Sequence, residues 1–377
     1  MRIALITPGF SADERDWCIP VLLNLVRELA REHEVHVFTL RYPHCRGTYQ
    51  VHRVAVHAFS GAAAAGLDRL PLMARALASV VRQHRRGPFD VLHGLWADEP
   101  GFLAVLGGRL LGPPSAVSLL GGELVSMPEI GYGGQLSRVN RWLVRTALRR
   151  TDVVTAGSTY LSRLAHPHVA PERLELLSLG VDAGMFYPGV ADPDPLAEGE
   201  IKLLHVGSLT AVKDQNMLLR AFSLIAPQFP DAYLHIVGGG NLRSDLENLA
   251  VSLGIGEQVV FHGAVSHERL PDYYRAADLC LFSSRYESQG MVVLEAAACE
   301  CALVGTAVGL LPELVPGVLA VPVGDVEALA EGALRLLQDK AKRAEVGRAA
   351  RERVEAQYTL AHTVDALLAL YGRLVEK

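Results

Sequence analysis

The apolar pattern of this chain is a strand and helix alternation that runs, stops once, and starts again. Short apolar runs at residues 2–7, 34–40, 90–93, 115–120 and 153–156 predict strands. Amphipathic segments at 19–32, 70–84, 101–111 and 135–150 predict helices between them. Strands that read as apolar runs, separated by helix-length segments, belong to parallel sheets covered on both faces. The alternation breaks over residues 179–194, where Gly180, Gly184, Pro188, Gly189 and Pro193 leave no period. It resumes with strands predicted at 201–206, 233–237, 259–261, 279–282, 302–305 and 318–321, and helices at 216–226, 242–253, 270–276 and 292–299. Three further helices are predicted at 326–337, 340–357 and 361–377. The expected fold is α/β: two doubly wound Rossmann-like domains facing a central cleft, residues 1–184 and 185–360. Sheets of this kind bind ligands beyond the carboxyl ends of their strands, where the strand order reverses.

A length of 377 residues suits two such domains. Half the residues are apolar and 20% are charged, which excludes a disordered or fibrous chain. No stretch of 18 uninterrupted apolar residues predicts a membrane span. The first residues read as a strand, too short for a secretory signal, so a cytoplasmic protein is expected. The net charge of -5 divides into +4 for residues 1–190 and -9 for the remainder, a balance that gives no reason to expect a nucleic-acid partner. Only five basic residues are lysines: Lys202, Lys213, Lys340, Lys342 and Lys377. Five cysteines fit a reducing compartment. Cys299 and Cys301 form a C-x-C without a second pair or a histidine cluster, so buried thiols are expected rather than a metal site.

Two Rossmann-like halves invite a dinucleotide reading, which the glycines do not support. The first strand leads into Thr7-Pro8-Gly9-Phe10-Ser11, and Gly238-Gly239-Gly240 continues as Asn241-Leu242-Arg243. Neither supplies G-x-G-x-x-G, so a dehydrogenase is not expected. The triple glycine predicts a tight strand-to-helix turn close to a ligand or a neighbouring strand.

The chemistry-bearing stretch runs from Ser283 to Glu295. Glu287 follows a predicted strand in a loop. Gly290 precedes a helix whose first amides, at Gly290, Met291 and Val292, present free N–H groups and a positive dipole end suited to phosphate. Glu295 lies more than one turn into that helix, within reach of a ribose diol. After another strand come Gly207, Ser208 and, at the end of the loop, Lys213, a cation placed to reach a diphosphate.

These residues resemble the retaining, nucleotide-sugar-dependent glycosyltransferases of family four, which have the GT-B fold. The resemblance rests on the Glu287 and Glu295 pair within Tyr286 to Cys299, on Pro312-Glu313, on the Gly207 to Lys213 loop, and on Gly180-Val181-Asp182, Phe186 and Pro188. It is looser in the first half, at Gly9, at Asp90-Val91-Leu92-His93 and at Leu120-Gly121-Gly122-Glu123. It implies an N-terminal acceptor-binding domain, completed by helix 361–377 crossing back, and a C-terminal donor-binding domain. It implies transfer of a sugar from a nucleotide diphosphate to a hydroxyl-bearing acceptor, with retention. A UDP-sugar and a cell-envelope glycan are the working expectation, with the sugar, base and acceptor left open. Glu287 and Lys213 are implied as catalytic. Gly9, Gly207, Ser208, Lys213, Gly290, Met291, Val292 and Glu295 are implied at the donor. Glu123, Trp96 and His93 are implied on the acceptor side. No cofactor and no metal are expected, because Lys213 and the helix end take the place of a divalent ion, and the cleft-forming loops hold no Asp-x-Asp motif.

The sequence departs from the family at Ser208, usually Arg, and at Leu120, often His. Gln289 replaces a common Phe, and Glu300 and Leu310 replace common Gly residues. Two alternatives therefore stay open: a GT-B sugar-nucleotide 2-epimerase and a non-catalytic nucleotide-sugar-binding protein. Arg138, Arg141, Arg145, Arg149 and Arg150 form a basic helical stripe. The stripe reads first as a solvated face and second as a peripheral contact with an anionic membrane, at its inner face, carrying a lipid-linked acceptor.

Overall fold

The structure is a computed structural model that describes residues 1–377 except 63, 65, 192 and 377. It divides into two compact units, Met1–Ser178 together with the chain from Leu360 on, and Leu179–Thr359. Residues 179–184, assigned above to the first domain, therefore pack with the second. The reason is local. Val181 donates to the Tyr358 carbonyl at 2.9 Å, and a Cβ on Gly180 would fall 2.1 Å from the Thr359 oxygen. Two chain segments thus run side by side at the boundary, and glycine is what lets them approach.

The first unit contains β1 (Arg2–Gly9), α1 (Pro20–Leu29), β2 (Glu34–Tyr42), β3 (Arg46–Val51), β4 (Val54–Phe59), α2 (Arg69–Arg86), β5 (Val91–Leu95) and α3 (Glu99–Leu111). It continues with β6 (Ser115–Leu119), α4 (Arg138–Arg150), β7 (Val153–Ala156), α5 (Thr159–Ala165) and β8 (Leu174–Leu176). The sheet order is β3-β4-β2-β1-β5-β6-β7-β8. Every pairing is parallel except the β3–β4 hairpin at the edge. In register, Ile3 lies between Val35 and Val91. Ile3, Ala4, Leu5 and Ile6 are fully buried, as a central strand covered on both faces requires. The order reverses between β1 and β5, so Gly9 and Trp96 stand at the switch point.

The second unit contains β9 (Ile201–Val206), α6 (Gln215–Ile225), β10 (Ala232–Val237), α7 (Arg243–Ser252), β11 (Val259–Gly263), α8 (Leu270–Ala276) and β12 (Leu279–Phe282). It continues with α9 (Met291–Ala298), β13 (Leu303–Thr306), β14 (Leu319–Val321), α10 (Val326–Gln338) and α11 (Lys340–Gln357). The sheet is all parallel, in the order β11-β10-β9-β12-β13-β14. Leu203 of β9 pairs with Leu234 on one side and Leu279 on the other. The switch point lies between β9 and β12, so the loops carrying Lys213 and Glu287 leave adjacent strand ends.

The last helix, α12 (Leu360–Val375), returns to the first unit. Thr363 donates to the Ser178 carbonyl at 2.9 Å, and Arg373 pairs with Glu175 at 2.6 Å. Lys377, the predicted end of this helix, lies outside the described residues. Cys299 and Cys301 are buried, as expected for that pair, whereas Cys18 and Cys45 are exposed. Cys280 and Cys301 are buried with their sulfurs 3.2 Å apart, and burial pushes the Cys299 thiol up to about 12.

Candidate active site

Lys213 ends a short turn, Ala211–Lys213, and the chain then enters α6 through Asp214 in the left-handed region. That turn is tied to the loop after β12 at four points. Arg285 N–H donates to the Val212 carbonyl at 2.8 Å, and Ser283 Oγ donates to the Lys213 carbonyl at 2.8 Å. Arg285 Nε pairs with Asp214 at 2.8 Å. The fourth tie is the ion pair between Lys213 Nζ and Glu287 Oε1, at 2.5 Å. Ser284 Oγ donates to the same carboxylate oxygen at 2.7 Å. Both charged side chains are largely covered, with 21% of Lys213 and 13% of Glu287 exposed. Two residues 74 positions apart in sequence are therefore held together at the switch point.

The Gly207-Ser208 loop is fixed from below by a buried histidine. His205 Nδ1–H donates to the Leu281 carbonyl at 3.0 Å, so its neutral Nε2 accepts from Gln215 at 3.3 Å. Gln215 also donates to the Ser208 carbonyl at 2.9 Å. Burial pushes the His205 imidazole down to about 4, which keeps it neutral and this relay intact at pH 7. Ser208 itself is exposed, with Thr210 as a hydroxyl neighbour at 3.4 Å. The triple glycine closes against this loop. A Cβ on Gly238 would fall 2.0 Å from the Gly207 oxygen, and one on Gly240 would fall 2.3 Å from the Leu209 oxygen. The turn expected close to a ligand or a neighbouring strand contacts the loop that follows the neighbouring strand β9.

Gly290 caps α9 with φ of 81°, a conformation that glycine adopts without strain. The first-turn amides of Met291 and Val292 have no intrahelical acceptors by helix geometry. Glu287 lies against this cap: a Cβ on Gly290 would approach its Cγ at 3.4 Å. From the other side Gly309, with φ of 59°, brings its backbone so close that a Cβ would fall 2.3 Å from the Gln289 oxygen. Leu310 N–H bonds the same oxygen at 2.7 Å. Gln289, at the family's common Phe position, uses its side-chain oxygen to accept from Leu179 N–H at 2.7 Å.

Glu295 is 7% exposed. Its Oε2 accepts from the Tyr274 hydroxyl at 2.9 Å, and its Oε1 faces His267 Nε2 at 3.3 Å. Phe186 of the segment before β9 packs edge-on against both partners, with ring centroids 5.2 Å from His267 and 6.0 Å from Tyr274. The Glu295 carboxylate is thus oriented by protein groups and keeps lone pairs free for further donors.

In the first unit His93 separates from the other two acceptor-side residues, Trp96 and Glu123, which line one cavity. His93 is buried in β5, with Nδ1 at 2.7 Å from the Tyr371 hydroxyl of α12 and Nε2 at 2.8 Å from Ser118 Oγ. Burial pushes it down to about 3. Both ring nitrogens are consumed inside the fold, so His93 joins sheet to helix and does not line an acceptor site. Glu123 is also buried, and it holds loops: its carboxylate accepts from the amides of Ala97 at 3.3 Å, Leu120 at 3.2 Å and Gly121 at 2.7 Å. Trp96, with φ of 80°, lines a small cavity of about 160 Å³ together with Asp98, Glu123, Tyr132 and Asn140. Asp98 is the residue that sequence reasoning missed. Burial, then the nearby Glu123 and Glu99, push its carboxyl up to about 7. The only sequence sign was its place directly after a strand at the switch point. At Gly9 a Cβ would meet only ordinary contacts, the nearest being Tyr42 at 3.5 Å, so packing inside the first unit does not demand glycine there. Among the described residues no group of three or more His, Cys, Asp or Glu is placed to hold a metal ion.

Two family models match the chain: glycosyl transferase 4-like domain over residues 19–180, and glycosyl transferases group 1 over residues 191–353. N-acetyl-alpha-D-glucosaminyl L-malate synthase of Bacillus anthracis is 28% identical over 92% of this chain and 91% of its own length. D-inositol 3-phosphate glycosyltransferase of Mycolicibacterium gilvum is 34% identical over 55% of this chain, and the match spans 48% of that relative. Sucrose-phosphate synthase of Thermosynechococcus elongatus shares the fold with a TM-score of 0.82 over 99% of both chains, at 22% identity. HepE of Anabaena, solved with UDP and glucose, shares it with a TM-score of 0.77 over 99% of both chains, at 18% identity. Both halves of the chain match, and the paired carboxylates and Lys213 fall within the second match. The chain belongs to the nucleotide-sugar-dependent glycosyltransferases of family four, with the GT-B fold.

Proposed function

We propose that the chain transfers a sugar from a nucleotide diphosphate to an acceptor hydroxyl with retention of configuration, without a metal ion. The observation that carries this reading is the Lys213 and Glu287 pair, held at the switch point of the second sheet beside the capped end of α9. A diphosphate arriving there competes with Glu287 for the Lys213 ammonium. Once engaged, Lys213 and the amides of Met291 and Val292 neutralise the charge that grows on the leaving diphosphate. Preorganised charge of this kind is commonly the largest contribution to rate. Glu287, released from Lys213, accepts hydrogen bonds from the sugar hydroxyls and stabilises positive charge at the anomeric carbon. Glu295, steered by Tyr274, holds the ribose diol. Ser208 offers a hydroxyl where the family usually has a cation, so Lys213 carries more of the leaving-group charge here. Gly9 serves the donor diphosphate, and the Trp96–Asp98 cavity serves the acceptor side.

The test is nucleotide release from UDP-, GDP- and ADP-sugars, with and without a cell extract as acceptor source, followed by NMR assignment of the product anomer. Retention, full activity in chelator, and loss of turnover in Glu287→Gln support the proposal. An inverted product or loss of activity in chelator contradicts it. Release without acceptor transfer would favour the epimerase alternative, and nucleotide binding without turnover the non-catalytic one. The matched relatives named above are a synthase and a transferase, which supports neither alternative.

A further inference from the structure

The arginine stripe of α4 is unlike an ordinary solvated helix face in two respects. First, its charges have no internal partners. Among the described residues none of Arg138, Arg141, Arg145, Arg149 and Arg150 lies within 4.0 Å of a carboxylate. The first unit's arginine pairs are made instead by Arg2, Arg31, Arg41, Arg69 and Arg373. Second, the stripe has an exposed tryptophan within it. At about 100° per residue, Arg138, Arg145 and Arg149 fall within roughly 60° of Trp142, and the buried Leu143, Val144, Ala147 and Leu148 occupy the opposite side. Trp142 is 58% exposed, Val139 at the flank is 49% exposed, and Leu136 just before the helix is 42% exposed. Beside this face runs a groove of about 670 Å³ lined by Arg138, Arg141, Arg145, Arg149, Trp142 and His168.

We propose that this face of α4 docks on an anionic phospholipid surface, with lipid headgroup phosphates in the arginine groove and Trp142 at the interface. Charge complementarity selects the sign: the four arginines that line the groove make no ion pair among the described residues and call for an extended anion. The length of the row selects a surface over a single ion, since Arg138 to Arg149 spans about 17 Å of helix. The tryptophan selects a bilayer over a purely polar polyanion. An indole ring on the charged face is favoured at the water–lipid boundary, where its apolar body and N–H are both satisfied. No helix among the described residues is long and apolar enough to cross a membrane, so any contact made by this helix face is peripheral. The proposal does not depend on the donor chemistry of the second unit.

The test is flotation of the full chain with vesicles of phosphatidylcholine alone, or containing about one third phosphatidylglycerol, at low and high salt. The expected result is binding only to the anionic vesicles, weakened by salt. Each arginine near the surface is worth about fivefold in partitioning, so Arg141→Gln with Arg145→Gln should lower it roughly 25-fold. A blue shift in tryptophan emission on binding should disappear in Trp142→Phe, and melting curves confirm that both variants are folded. Equal binding to neutral vesicles, no binding to anionic ones, or unchanged binding in the arginine variant would overturn the proposal. So would binding to single-stranded RNA in place of vesicles, which would assign the face to a nucleic acid.

Discussion

Replacing Lys213 by alanine separates two consequences that the structure ties together. The ammonium lies 2.5 Å from Glu287, and both side chains keep some contact with water. At an effective dielectric of about 20, the pair attracts by roughly 7 kcal/mol before the cost of removing both charges from water. The net penalty for leaving Glu287 with only the Ser284 hydroxyl is about 1–3 kcal/mol of stability. The catalytic penalty has another source. Losing one preorganised charge from the leaving group costs about 10²- to 10³-fold in kcat, the scale of one oxyanion-hole donor. The double variant Lys213→Ala with Glu287→Gln removes the orphaned charge, so much of the lost stability should return. Activity should not return, because the leaving diphosphate still lacks its cation. Urea unfolding measures the first effect and nucleotide release at saturating donor the second. Should Lys213→Ala keep wild-type turnover, or the double variant regain it, Lys213 would be a structural residue and the reasoning would fail.

Other substitutions test the backbone around the site. Glu300 closes α9 at φ of 59°, where its neighbours form the two reverse hydrogen bonds of a helix-ending turn, Cys301 N–H to Ala296 and Glu300 N–H to Ala297. Glu300→Gly should therefore raise stability by about 1 kcal/mol in thermal or urea unfolding, since its pairing with Arg351 at 3.9 Å is exposed and weak. Gly309→Ala should cost about 2–4 kcal/mol and reduce turnover together, because its Cβ would strike the Gln289 carbonyl and press on Glu287 at 3.0 Å. Four histidines set the acid limit. Burial pushes His93 down to about 3, and His57, His205 and His235 down to about 4, from 6.5. As pH falls from about 6.5 toward 4 the unfolded chain takes up these protons and the folded chain does not, so stability declines. Asp98 and Glu123 oppose this: burial raises both carboxyls, Asp98 to about 7, so their protonation favours folding as pH falls, but they are two groups against four. The urea midpoint should therefore drop on acidification through this window, and the drop should steepen in Asp98→Asn, which removes one of the two opposing groups.

The two-sheet plan was legible because central parallel strands such as β1 and β9 are buried on both faces and must read as apolar runs. The β3–β4 hairpin was not. Its sequence Arg46-Gly47-Thr48-Tyr49-Gln50-Val51 lies at a sheet edge, exposes most of one strand and carries no apolar run. Three-residue β8 is too short to show a period. At the candidate site, Glu287, Gly290 and Lys213 stood out because their positions after strand ends were already readable. Their contact depends on β9 and β12 being neighbours, which the strand order supplies and local pattern cannot. His93 was misplaced for the same physical reason. A polar residue at a strand end looks alike in sequence whether its partner is a ligand or the protein, and the partner of His93 is 278 residues away. Glu123 is satisfied by backbone amides, which any sequence provides.

Hydrogen exchange of the full chain with and without UDP, GDP or ADP tests the central claim most directly. One of these nucleotides should slow exchange at the amides of residues 207–213 and 287–293, the loops that leave β9 and β12. Slowed exchange confined to other segments, or none with any of the three, would contradict a nucleotide-diphosphate site at the switch point of the second sheet.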